Sequence, residues 1–204
     1  MSTTLVFTQS RGRGEPGPVP TDLPRTQSVR LDGIVGASTF AEFTDRAPTI
    51  ARVVVTDLLV TYYWPGTDLR DDHYGSMIVS DFEVVVTQAL KGPFVEGDSL
   101  VVLAVQGTLD NVTQIRLPRE ENPELKVGER YILFLLPEED RPDVQLPLHG
   151  IPRFTTFGSL GRFLVEGGLI KPANPKSEIQ KEFMDRPANE FVEAVLENIA
   201  GRRR

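Results

Sequence analysis

The alternation of apolar and polar side chains writes a long hairpin into the middle of this chain. From Ser80 onward, Phe82, Val84, Val86 and Leu90 fall on one face of a strand, and Glu83, Thr87 and Ala89 on the other. Lys91-Gly92-Pro93 and Glu96-Gly97-Asp98 break the pattern, and Leu100 to Val105 resumes as a wholly apolar second strand. Upstream, Ile50 to Tyr63 is dominated by β-branched and aromatic residues and reads as a strand. Its alternation slips at Thr56-Asp57, which predicts a bulge or sharp bend of the kind a barrel needs at its corners. Downstream, Gly128 to Leu136 is apolar on both faces and predicts a central strand. Short strands follow at Phe154–Phe157, Arg162–Val165 and Gly168–Ile170, punctuated by Gly158, Gly161, Gly167 and Gly168.

Two segments carry a helical period. Thr39 and Glu42 offer a capping box, with Phe40 and Phe43 three apart, so a short helix is predicted over about 39–46, stopped by Pro48. Phe191, Val192, Val195, Leu196 and Ile199 form a helical stripe, started at Asp185 or Arg186 with Pro187 and ended by Gly201. Ser177 to Met184 adds a further helical turn, with Ile179 and Phe183 four apart. The last helix is expected to lie against the barrel and close one end of the core. Trp64–Ser76, Gly107–Leu125 and Pro137–His149 are polar connections. Residues 1–30 are rich in Gly and Pro among polar side chains and bury too little apolar area to offset their ordering entropy. The chain divides on this reading into an arm (1–37), a β domain (38–173) and a C-terminal helical segment (174–204) that packs on it.

Composition narrows the function classes. An apolar share of 40 % and a charged share of 25 % are those of a globular protein. A formal net charge of −7 opposes nonspecific attraction to nucleic acid, so no nucleic-acid partner is expected. Arg11, Arg13 and Arg202–Arg204 read as solvated chain ends. The absence of cysteine excludes disulfides, thiolate nucleophiles and Cys-based zinc sites. No apolar run reaches the roughly 18 residues needed to span a bilayer, and the N-terminus lacks the pattern of a standard signal peptide.

The order of turn and core motifs carries a resemblance. Ala51-Arg52-Val53-Val54-Val55 follows a short helix; then come Phe82 to Gly92 ending in Leu-Lys-Gly, Gly97-Asp98 before Leu100-Val101-Val102, Val127 to Leu135, and Gly161 to Val165. This order resembles the small β-barrel domains of bacterial surface and secreted proteins, which are similar to the netrin-like, OB-type barrel of metalloproteinase inhibitors. The resemblance covers about residues 39–172. It implies a mainly β, OB-like Greek-key barrel, here with a short N-terminal helix and a C-terminal amphipathic helix, and an exported or cell-surface location. The inhibitors use an N-terminal cysteine and disulfide-held loops, which this chain lacks, so inhibition by that route is not carried over. A protease-inhibitor-like role remains one alternative.

Side chains that point to chemistry are few. Asp71-Asp72-His73 sets two carboxylates beside an imidazole on one loop without a third anchor, so a solvated turn is the simpler reading than a metal site. A hydrolase with an unrecognised site there is a second alternative. His149 stands without a motif, and neither Ser80 nor Ser159 sits in a nucleophile elbow. No catalytic residue, metal ligand or cofactor site is assigned. Tyr62, Tyr63 and Trp64, with His73 and Tyr74 across the same loop, are the candidate contacts for a ligand or partner. Trp64 either plugs the barrel mouth or offers a stacking surface. The leading expectation is a non-catalytic module that binds a protein partner or a small ligand, with oligomeric state left open.

Overall fold

A computed structural model describes residues 25–29, 39–63, 78–109, 112–116, 124–138, 151–158 and 160–201. Its elements are β1 (Arg25–Val29), α1 (Phe40–Arg46), β2 (Thr49–Tyr63), β3 (Ile78–Lys91), β4 (Ser99–Ala104), β5 (Gly107–Leu109), β6 (Val112–Arg116), β7 (Arg130–Pro137), β8 (Arg153–Thr156), β9 (Arg162–Glu166), β10 (Leu169–Pro172), α2 (Glu178–Lys181) and α3 (Ala188–Gly201).

Five of these strands close on themselves. β2 pairs antiparallel with β3 and β7, β3 with β4, β7 with β8, and β8 completes the ring by lying parallel to β4. Closure removes most of the exposed backbone edge of an open sheet. The protein is therefore mainly β, a closed barrel with short helices, as the alternation predicts. The expected break in β2 is present: its register against β3 shifts between Val55 and Asp57, and again between Leu58 and Val60. Such shifts let a strand of 15 residues curl around the ring.

The period of two sorts β7 into two cores. Tyr131, Leu133 and Leu135 point into the barrel, where they join Ala51, Val53, Val55, Phe82, Val84, Val86, Leu100, Val102 and Phe154. Ile132 and Phe134 point outward into a second cluster built with Phe40, Phe43, Phe163, Phe183 and Phe191. This is why the strand reads as apolar on both faces. Phe191 is the hub of the outer cluster, with ring centroids 4.5 Å from Phe163, 4.8 Å from Phe183 and 5.4 Å from Phe40. The last helix thus packs on the outer wall of the barrel. Its buried residues Phe191, Val192 and Val195 belong to this second core and not to the barrel interior.

Local signals explain the helix ends. Thr39 Oγ1 accepts the Glu42 N–H at 3.1 Å, and Lys91 Nζ donates to the Thr44 and Asp45 carbonyls at 3.0 and 2.8 Å at the other end of α1. β9 and β10 extend the sheet past β7. The outer edge of β10 is covered by residues 185–188, through Ile170 N–H to Arg186 O and Asp185 N–H to Ile170 O, both 2.9 Å.

Two segments differ from the sequence reading. Arg25–Val29, inside the segment assigned to an arm, is a strand, and the Gly107–Leu125 connection holds β5 and β6. Together they make a second sheet in the order β1-β6-β5, with β1 parallel to β6. These strands (RTQSV, GTL, VTQIR) have few apolar side chains, so backbone pairing holds them and no alternation advertises them.

Candidate functional site

Past Val55 the β2–β3 hairpin runs beyond the reach of β7. The last bonds between the two are Val55 N–H to Glu129 O, 3.0 Å, and Gly128 N–H to Val55 O, 2.8 Å. Residues 124–127 lie beyond these bonds, and Leu125 is held instead by the Gln106 side chain. The divergence opens a cleft of about 310 Å³, lined by Leu58, Ser80, Phe82, Gln106–Thr108 and Glu124–Val127. Leu58 pairs with Phe82 and continues the inward-facing row of the barrel, yet it is 46 % exposed where Phe82 is 4 % exposed. Val127, on the opposite wall, is 54 % exposed. Two large apolar side chains thus face water across one opening, an arrangement that ordinary surface exposure of single residues does not produce.

The floor is a chain of satisfied polar groups. Thr61 Oγ1 and Ser80 Oγ share a hydrogen bond of 2.8 Å, and Ser80 Oγ donates to Gln106 O at 2.8 Å. The buried Gln106 side chain then serves both backbone groups of Leu125: Nε2 donates to Leu125 O at 2.9 Å and Oε1 accepts from Leu125 N at 3.0 Å. A side-chain amide replaces the strand partner that Leu125 lacks at this point, so the wall stays fixed without a ladder. Gly107 lets β5 approach this closely. A Cβ there would sit 2.7 Å from both Ser80 Oγ and Thr61 Cγ2. Tyr131 braces the same wall from inside the barrel, its single hydroxyl proton shared between Glu124 O, at 3.0 Å, and the Glu129 carboxylate. Burial and the neighbouring Glu129 hold its phenol well above the ordinary tyrosine range.

On the outer face of the hairpin a second polar group is buried. Asp81 is fully buried and accepts from Arg153 Nη2 at 2.8 Å. Tyr62 donates its hydroxyl to the same carboxylate at 3.4 Å, is itself bonded by Arg153, and has the guanidinium 5.7 Å from its ring centre. Burial raises the Asp81 carboxyl above the ordinary range despite Arg153, and burial followed by the Asp81 charge raises the Tyr62 phenol.

Of the residues singled out in the sequence, Tyr62 lies in this buried group, with its hydroxyl turned to Asp81 and Arg153 and not to the cleft. Tyr63 pairs its backbone with Ile78 at the end of the hairpin. Trp64, His73 and Tyr74, and with them Asp71, Asp72 and His149, lie outside the described residues. Among the described residues no group of three His, Asp or Glu side chains is placed to hold a metal ion, and no helix is long and apolar enough to cross a membrane. Sequence reasoning missed the cleft. Leu58 and Val127 look like ordinary members of apolar runs, and only the pairing register shows that their neighbours part beside them. No known family model matches the chain, and no characterised protein is significantly similar to it in sequence.

Proposed function

We propose that the protein is a non-catalytic binding module on an OB-type barrel, and that the cleft between the β2–β3 hairpin and residues 124–127 receives a side chain of a protein partner. The observation that carries this reading is the pair Leu58 and Val127, exposed on facing walls above a fully hydrogen-bonded floor. A rigid base and an apolar rim are what a docking pocket for an anchor side chain requires. The closed five-strand ring supports the OB-type assignment, in which barrel loops and the adjoining strand face make the contacts. The same reading keeps the module class that the order of turn motifs resembles, that of exported small barrels.

Selection from a random-peptide library on the immobilised full chain tests this proposal. Enriched peptides are expected to share a large apolar residue and to lose binding to Leu58→Asp and Val127→Asp. Val95→Asp, at an exposed site in the β3–β4 turn, is expected to leave binding intact. All three positions are on the surface, so stability changes little. Peptides that bind all three variants equally would place the contact surface elsewhere.

A further inference from the structure

The surroundings of the cleft point to the chemistry of its occupant. Strand addition is disfavoured there. The edge of β2 past Val55 is broken by two register shifts, and the Leu58 N–H that would pair with an incoming strand already donates to Asp57 Oδ1 at 2.8 Å. Bulges and an edge carboxylate are devices that keep a strand edge from pairing. The opening therefore admits side chains and not a backbone ladder.

Acidic residues outnumber basic ones around the opening: Asp57, Glu124 and Glu129 stand against Lys126. Asp57 holds its carboxylate at the β2 edge, on the Leu58 amide, and Glu124 lines the other wall. The one cation of the lining, Lys126, lies 3.9 Å from Glu129 and is offset by it. Asp57, exposed beside Leu58 at the β2 edge, and Glu124, half-exposed in the cleft lining, thus put two acidic residues next to the apolar slot. We infer that the cleft takes a segment of a protein partner presenting a large apolar side chain flanked by Lys or Arg, with Asp57 and Glu124 reading the cations. This rests on the cleft being the binding surface proposed above. Complementary charge sets partner choice and encounter rate more than total affinity, and it discriminates against acidic segments as well as favouring basic ones.

The test uses the full chain and three fluorescein-labelled octapeptides that share a central Leu-Phe pair and differ only in flanking lysines, serines or glutamates. Fluorescence anisotropy is expected to rank them lysine, serine, glutamate, with about tenfold between the extremes at low salt, from two exposed charge contacts of under about 1 kcal/mol each. The spread is expected to shrink as salt shortens the screening length below about 8 Å. It is also expected to vanish in the double variant Asp57→Asn, Glu124→Gln, which keeps the side-chain acceptors. Equal affinities for the three peptides, or a spread that survives in the double variant, overturn the charge assignment while leaving the cleft in place. Failure of all three to bind, or binding unchanged by Val127→Asp, overturns the cleft as the site and this inference with it.

Discussion

Arg153 on β8 reaches Asp81 on β3, Nη2 to Oδ1 at 2.8 Å, although β4 lies between their strands in the sheet. The carboxylate has no access to water and the arginine side chain is only 13 % exposed. A pair in this position fixes how three strands sit across the barrel wall. Removing Arg153 leaves the buried carboxyl with only the long Tyr62 hydroxyl contact at 3.4 Å, which costs far more than the net contribution of the pair. Arg153→Met is expected to destabilise the protein by about 3–5 kcal/mol in urea unfolding. The double variant Arg153→Met, Asp81→Asn is expected to recover part of that loss. A double variant no more stable than the single one contradicts the pairing.

The same carboxyl sets a pH dependence opposite to that of most aspartates. Because burial raises its folded value above the ordinary 3.8, the folded state holds the Asp81 proton more tightly than the unfolded chain. The stabilising contribution is therefore full below 3.8 and is lost as pH rises through the folded value. Compared with Asp81→Asn, the parent protein is expected to gain relative stability as pH falls from neutral toward that value. Parallel stability curves for the two proteins would contradict the raised carboxyl.

Gln106 carries two hydrogen bonds of the cleft wall, so Gln106→Ala strands one donor and one acceptor of Leu125. The expected cost is about 2–6 kcal/mol, at roughly 1–3 kcal/mol for each of the two unsatisfied buried groups. Calorimetry reads this as a fall in Tm of several degrees for a chain of this size.

Gly107 and Gly97 separate conformational strain from collision. Both have φ in the left-handed region, +133° and +95°, but a Cβ meets nothing within 4 Å at Gly97. Gly97→Ala is expected to cost about 1–2 kcal/mol, the strain alone. Gly107→Ala adds contact with Ser80 and Thr61 and is expected to cost more and to weaken peptide binding at the cleft. Equal unfolding midpoints for the two variants contradict the close approach of β5.

Phe191 joins α3 to the outer wall. Phe191→Ala is expected to cost about 3–5 kcal/mol, and to raise hydrogen exchange in α3 and α1 while the barrel strands keep their protection. The two cores predict this separation, since Phe191 touches the outer cluster and not the barrel interior.

The legible parts of the fold are those written in local periods. Phe82, Val84 and Val86 declare the barrel interior through alternation, Thr56-Asp57 declares the bend, and Thr39 and Pro48 declare the ends of α1. Contacts made by single polar side chains across the sheet leave no such trace. Asp81 and Arg153 are 72 residues apart, and nothing near either names its partner. β1 and β6 carry no strand signal of their own, because their pairing is carried by the backbone. Tyr62 was legible as an aromatic at the end of a strand, but which face it serves depends on the register of the hairpin. The cleft was illegible for a related reason: Leu58 is exposed only because residues 124–127 part from β2, and that divergence belongs to the fold and to no single stretch of sequence.

The most direct measurement is an amide chemical-shift map of the full chain titrated with the lysine-flanked Leu-Phe peptide. The account predicts saturable shifts concentrated at Leu58, Ser80, Gln106 to Thr108 and Leu125 to Val127, with α3 and the β3–β4 turn unmoved. Shifts centred on the outer face of α3 or on the turn at Val95 would contradict it, as would the absence of any saturable shift.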